Sequence, residues 1–271
     1  MATRARSLTL ATFNVNGINS RLPHLLDWLA EAQPDIVALQ ELKATDAAFP
    51  VAAIEAAGYG ALWQGQASWN GVALLARDAV PVESRRGLPG EPKDTQARYL
   101  EAAVHGLVVG ALYLPNGNPQ PGPKFDYKLR WMARLARHAR SLVELSHPVA
   151  LIGDFNVIPE DRDVYDPKAW KRDALIQPEV RAAWEELLAQ GWTDALREVF
   201  EDEVVYTFWD YFRRHAERDR GLRIDHLLLN PVLAEGLQEV GVDRWVRLQD
   251  KASDHAPTWA RVRLPTRRRR A

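Results

Sequence analysis

The 271-residue sequence contains no cysteine. That absence excludes disulfide frameworks, thiolate zinc sites and cysteine nucleophiles together, and it suits a reducing compartment. Long hydrophobic runs are missing too. The N-terminal MATRARSLTLATFNVNG is basic, but polar residues interrupt its apolar ones, so no secretory signal or membrane partner is expected and the cytoplasm is the expected location. No fixed-period repeat or Ser/Gly linker divides the chain, and no GxGxxG follows the first strand-like segment, which sets aside the dinucleotide-binding fingerprint. An excess of one charge sign is absent as well: 35 Lys and Arg stand against 36 Asp and Glu. That balance argues against a strongly electropositive nucleic-acid surface. Four of the positive charges are Arg267–Arg270, so the rest of the chain is net acidic, and an acidic site that holds a cation would explain such a balance.

What is present is ordinary for a globular chain: 46% hydrophobic and 26% charged residues. A domain of this size buries roughly three quarters of the surface its unfolded chain exposes. Short β-like runs recur at Leu8–Asn14, Ile36–Gln40, Val72–Ala76, Tyr99–Val104, Val108–Leu114, Val149–Gly153, Ile224–Leu229 and Thr258–Leu264. Several are continuously apolar and end in a polar residue, the pattern of strands buried on both faces. Leu22, Leu25, Leu26 and Leu29 predict one helix, Val180, Ala183, Trp184, Leu187 and Leu188 a second, and a longer helix is expected over Asp126–Ser146. Strands outnumber helices. Two β-sheets packed face to face with helices outside each fit this better than a single parallel sheet. One domain over residues 1–264 is expected, with a basic, disordered tail over 265–271, in a monomer.

Five places end hydrophobic strands with residues that bind metal or phosphate: TFNVNG (12–17), LQELK (39–43), LYLPNGN (112–118), LIGDFNVIP (151–159), and the late pair LRIDHLLL (222–229) and SDHAP (253–257). Taken alone, each is weak. A lone carboxylate such as Glu41 is more often a solvated strand cap, and Asn14 and Asn16 before Gly read as turn residues. Asp154 and Asn156, two apart, share one face of an extended segment, though a turn Asp has the same spacing. Asp254–His255 also suits a surface loop. Their combination is far less common by chance. It is an oxygen-rich, sulfur-free set with one imidazole, which suits Mg²⁺, with Mn²⁺ as a substitute. With no thiolate and no HExxH, zinc is disfavoured. Phosphodiester hydrolysis needs the same parts: a cation on Glu41 to neutralise phosphate, Asp154 to accept a proton from water, Asn156 to donate to a phosphate oxygen, and a carboxylate-held histidine to donate a charged hydrogen bond.

FNVNGI, LQELK, NGVALL, YLPNG, GDFNVIP, GLRIDH and SDHAP, in this order from Leu8 to about Val262, resemble the exonuclease III family of class II abasic-site endonucleases, within the endonuclease/exonuclease/phosphatase superfamily. The resemblance implies a deoxyribonuclease I-like α/β fold: a four-layer α/β/β/α sandwich of two packed mixed β-sheets flanked by helices. It implies Glu41 as principal metal ligand, Asn14 organising the metal site and catalytic Asp, and Asn16 and Asp254 beside the metal. It makes Tyr113 and Asn156 phosphate contacts with Asn116 nearby, Asp154 the residue that orients or deprotonates water, and His255 a phosphate contact oriented by Asp225. Lys124 and Arg98 fall where the family places basic residues facing DNA.

The implied reaction is cleavage of double-stranded DNA 5′ to abasic sites, with 3′-5′ exonuclease and 3′-phosphatase activity on blocked ends. By the same resemblance Phe208, Leu222 and Ile224 wall a pocket for a baseless sugar, with Trp209 beside it. Flipping such a sugar costs less than flipping a stacked nucleotide, so a tight pocket selects it. The best-known bacterial members carry Trp where this chain has Phe208. YTFWDYFRR (206–214) otherwise reads as a core strand with an exposed end, burying Tyr206 and Tyr211. Two other readings remain: a same-fold phosphoesterase acting on RNA, an inositol phosphate or a lipid headgroup, and a catalytically silent nucleic-acid-binding module. The latter is opposed by the intact Glu41, Asp154, Asn156, Asp225 and His255.

Overall fold

A strand that is apolar on both faces needs a partner layer on each side, and β1 (Ser7–Asn14) has both. Its Leu8 and Leu10 face one core and its Ala11 and Phe13 another. In the computed structural model, which describes residues 6–265, the same alternation recurs in β2 (Ile36–Gln40) and β8 (Val149–Asp154). The expected arginine tail at Arg267–Arg270 lies outside the described residues.

One six-stranded sheet runs β11 (Leu237–Val242), β12 (Thr258–Arg263), β1, β2, β4 (Val72–Arg77), β3 (Tyr59–Gln64). The second runs β5 (Val82–Arg86), β6 (Tyr99–Val104), β7 (Leu107–Tyr113), β8, β10 (Asp225–Leu229), β9 (Thr193–Asp194). Each sheet is mixed, with β1–β2 and β7–β8 parallel and the other neighbours antiparallel. Leu10, Ile36 and Leu74 of the first sheet meet Val109, Ile152 and Leu227 of the second in the middle core.

Helices cover the outer faces. On the first sheet α1 (Leu22–Ala32) buries Leu25, Trp28 and Leu29, with Trp28 edge-on to Phe13 at 5.8 Å, and α2 (Val51–Ala56) adds Ile54. Trp28 takes the core place that leucine spacing assigns to Leu26, which is only half-buried. On the second sheet α3 (Pro123–Val143) packs Trp131 and Leu135 beside Val180, Trp184 and Leu187 of α5 (Pro178–Leu188), after the single turn α4 (Pro167–Trp170). Each such large apolar side chain contributes roughly 1.5–3 kcal/mol on burial. The result is the expected four-layer sandwich.

Three differences from the sequence reading have local causes. α3 runs Pro123–Val143 rather than Asp126–Ser146: Pro123 fits a first helical turn, and Pro148 disfavours helical backbone just before β8. YTFWDYFRR is not a strand. It makes isolated bridges from Phe208 to Leu222 and His255, then turns through left-handed Arg213 and Arg214 at φ 52° and 54°. Tyr211 is accordingly 48% exposed instead of buried in a core. The strands β3, β5, β9 and β11 were not among the expected runs; β9 has only two residues, and all five residues of β5 are exposed, so it has no apolar face to read. No helix among the described residues is long and apolar enough to cross a membrane.

The topology gathers polar residues at one end. Parallel pairing sets Asn14 opposite Gln40, and Tyr113 opposite Asp154. Antiparallel β10 begins at that end with Asp225 opposite Asp154. β12 pairs Thr258 with Thr12, which brings the preceding His255 to the same rim.

Candidate active site

Glu41, Tyr113, Asn116, Asp154, Asn156, Phe208, Leu222, Ile224, Asp254 and His255 line one cavity of about 260 Å³ at this rim, together with Trp170, Asp173 and Leu175. Its residues come from both sheets.

Asn14 ties the sheets together. Its Nδ2 donates to Glu41 Oε1 at 3.1 Å and to Asp154 Oδ2 at 3.0 Å, and its Oδ1 accepts the Asn16 backbone N–H at 3.0 Å. Ser253 anchors it from behind, donating to the Asn14 carbonyl at 2.6 Å. Tyr113 Oη donates to Glu41 Oε1 at 2.7 Å, while Lys43 Nζ stands 2.8 Å from Glu41 Oε2. Burial works against the Glu41 charge, but Lys43, Tyr113 and Asn14 overcome it and hold the carboxyl below its usual range. Burial, with the charges of Glu41 and Asp154, keeps Tyr113 a neutral phenol. Asn16 accepts from Lys43 Nζ at 2.5 Å and donates to Asp254 Oδ1 at 2.9 Å and Tyr211 Oη at 3.1 Å. Asn16, Glu41 and Asn156 all have left-handed φ, 48°, 51° and 49°. Such conformations in non-glycine residues cost on the order of 1–3 kcal/mol each and cluster where function demands them.

The second half of the site is a relay. His255 Nδ1 lies 2.8 Å from Asp225 Oδ2, and its Nε2 faces Asp154 Oδ2 at 3.8 Å. Burial disfavours the charged ring, but Asp225, with Asp154 and Asp254, outweighs it and holds the imidazole protonated up to about 10. Burial also pushes the Asp154 carboxyl up, against the pull of His255. Asp154 Oδ1 accepts the Asn156 backbone N–H at 2.9 Å. The Asn156 side chain accepts from Asn116 Nδ2 at 3.1 Å and donates one N–H to the Leu114 carbonyl at 3.0 Å, which leaves its other amide N–H for a ligand.

Asp154, Asp225 and His255 each bring one donor atom within 4.8 Å of the others, as close as metal ligands stand. A protonated imidazole cannot ligate a metal, so this trio is better suited to moving or donating protons. Glu41 presents oxygen alone and already faces the cationic Lys43, so its donor chemistry fits a hard divalent cation.

The apolar wall is Phe208, Leu222 and Ile224, with Phe208 edge-on to His255 at 4.9 Å. Trp209 is not part of it. Adjacent residues of an extended segment point to opposite sides: Trp209 is 2% exposed, packs on Ala216 and Ala256, and donates to Asp219. Only its backbone serves the rim, donating to the Asp254 carbonyl at 2.8 Å. Arg98 does not line the cavity either. Its guanidinium lies over the Tyr113 ring at 4.7 Å and donates to the Tyr113 carbonyl at 3.2 Å. Lys124 is exposed at the start of α3, outside the cavity. Sequence reasoning missed Lys43, although LQELK contains it. It also missed Trp170 at the end of α4, and Asp173 and Leu175 just beyond it, in a segment that carries no motif.

The Endonuclease/Exonuclease/phosphatase family model matches residues 11–255. The chain belongs to this family. Among curated family members it is 35% identical to exodeoxyribonuclease III of Haemophilus influenzae, over 92% of this chain and 97% of that one. Among solved structures it is similar to the 3′ phosphatase NExo of Neisseria bound to a product DNA hairpin, with 40% identity, a TM-score of 0.90, and 93% and 98% of the two chains covered. It is similar too to an AP endonuclease from Archaeoglobus fulgidus, at 37% identity, a TM-score of 0.89 and the same coverage.

Proposed function

We propose that this chain is a Mg²⁺-dependent DNA-repair phosphodiesterase that cuts duplex DNA 5′ to abasic sites and also hydrolyses 3′-phosphate and 3′-terminal nucleotide ends. The observation that carries the reading is one cavity in which Asp154, Asn156 and His255 share walls with Phe208, Leu222 and Ile224. Groups able to act on a phosphate thus share one cavity with an apolar wall. Relatives named for exodeoxyribonuclease III, 3′ phosphatase and AP endonuclease activity support the same substrate class.

Glu41, with Asp254 on the far side of Asn16, would hold Mg²⁺, whose chemistry is to neutralise the phosphate and stabilise the leaving alkoxide. Asp154 accepts a proton from the attacking water, and burial raises its basicity for that step. His255, charged through the neutral range, donates to a non-bridging phosphate oxygen. The free amide N–H of Asn156 completes the phosphate cradle, while the Tyr113 phenol, whose single O–H goes to Glu41, holds that carboxylate in place beside it. Asn14 keeps Glu41 and Asp154 in register.

The test is hydrolysis of a duplex with a single abasic analogue, run beside duplexes with a 3′-phosphate and a recessed 3′ end. Incision 5′ to the analogue in Mg²⁺ supports the reading. Inertness on all three, with turnover of an inositol or lipid phosphate, would sink it.

A further inference from the structure

Lys128 has no place in the chemistry above, yet its side chain is fully buried, one of the largest so enclosed. It sits on α3, on the face that turns inward. Its Nζ reaches the carbonyl oxygens of Asn156 at 2.6 Å, Pro115 at 3.1 Å and Asn116 at 3.1 Å. An ammonium has three N–H donors, and these three acceptors use all of them. Two loops supply the carbonyls: the YLPNG turn after β7 and the GDFN turn after β8. Those loops carry Asn116 and Asn156, whose side chains meet at 3.1 Å in the cavity wall. The loop is also pressed onto the lysine stem, since a Cβ on left-handed Gly117 would stand 2.6 Å from Lys128 Cδ.

Holding a charge here is unfavourable. Burial pushes the Lys128 pKa down to about 7, against the pull of Asp154 and Asp173. An apolar side chain would fill the same volume without that cost but would leave three carbonyls unpaired. Asn156 is itself held at φ 49°, and the shortest of the three bonds is to the carbonyl of that strained residue. Without it the backbone could relax toward the right-handed region, carrying the Asn156 amide and its N–H to Asp154 with it.

We propose that Lys128 is a positioning residue that clamps the two loops so that Asn156 and Asp154 meet the scissile phosphate in a fixed geometry; this rests on reading the cavity as the phosphate site. Lys128 touches no reacting group and acts through Asn156.

The experiment compares Lys128→Met, which removes all donors at similar size, and Lys128→Gln, which keeps an amide donor, each alone and in an Asn156→Ala background. Activity of the unmodified protein on the abasic duplex tests the functional reading by itself; the variant-to-parent ratios test Lys128. Folding is checked by circular dichroism, and rates are normalised to folded protein. Lys128→Met is expected to lower kcat by about 10–100-fold, the range for loss of a partner that orients a functional group, with KM within about 2-fold and partial recovery in Lys128→Gln. In the Asn156→Ala background the further loss should shrink to about 2-fold or less, because the two act as a unit. Independently of activity, the side-chain amide resonances of Asn156 in ¹⁵N–¹H spectra should shift in either variant. Wild-type kcat in folded Lys128→Met, equal losses in both backgrounds, or unmoved Asn156 amide resonances would each overturn the proposal.

Discussion

The Nδ1 atom of His255 lies 2.8 Å from Asp225 Oδ2, and the opposite nitrogen of the same ring faces Asp154 Oδ2 at 3.8 Å. The imidazole is thereby held at one edge and presented at the other. A group of this kind typically contributes ~10²–10⁴-fold to rate. His255→Ala is expected to lose that much kcat, measured by single-turnover cleavage, and Asp154→Asn a comparable amount.

The same pair sets a pH expectation. The His255 pKa is raised to about 10, so its stabilising contribution is complete below the unfolded value of about 6.5 and is lost as pH rises through the folded one. The alkaline limb of the rate profile should therefore not fall near neutrality on account of this residue. In Asp225→Asn that limb should move down toward neutral pH. An unchanged limb in the variant would remove Asp225 from its assigned role.

Glu41 accepts from Tyr113 at 2.7 Å and faces Lys43 at 2.8 Å, which marks the position where cationic charge is received. EDTA is expected to abolish cleavage, and added Mg²⁺ to restore it. Glu41→Gln should raise the Mg²⁺ concentration for half-maximal rate by about 10-fold or more, the scale on which altered ligand environments act. A metal titration of activity reads both effects.

Phe208 is the half-buried wall of the apolar slot and touches His255 edge-on at 4.9 Å. Phe208→Ala should widen the slot and admit a nucleotide that carries its base. The ratio of cleavage at the abasic analogue to cleavage at an undamaged end should fall by about 10-fold, since losing one apolar contact alters discrimination by roughly 1–3 kcal/mol. Equal rate losses on both substrates would assign Phe208 to packing alone.

Behind the slot, Arg223 joins Asp163 at 2.8 Å and Asp194 at 2.6 Å, with all three side chains buried. Burial opposes the Asp194 charge, but Arg223 and His226 hold its carboxyl far below the usual range. That contribution is present above the unfolded value of about 3.9 and is lost as pH falls through the lowered folded one. Asp194→Ala leaves Arg223 short of a partner and should cost about 3–5 kcal/mol in urea unfolding at neutral pH. The difference from the parent should narrow under acid conditions.

The parts of this molecule legible in its sequence are those whose physics is local. β2 and β6 are apolar on nearly every position, so their bounds read off directly. The solvent-facing β5 and the two-residue β9 carry no such pattern. At the rim, Glu41, Asp154 and His255 stand at or beside strand ends, where an abrupt change to polar residues is visible. Trp170, at the end of α4, and Asp173 reach the cavity from a segment that carries no motif, and the Trp209 side chain turns away because its neighbour Phe208 takes the inward side. Lys128 was invisible for a different reason: a lysine on an amphipathic helix reads as surface, and only the converging carbonyls of Pro115, Asn116 and Asn156 show otherwise.

The most direct measurement is product mapping on a duplex with one abasic analogue, in Mg²⁺, with the parent protein and His255→Ala side by side. The expected result is a single nick immediately 5′ to the analogue, leaving a 3′-hydroxyl, with the variant slower by about 10²-fold or more. An intact duplex with the parent protein, or a nick whose rate does not depend on His255, would contradict the account.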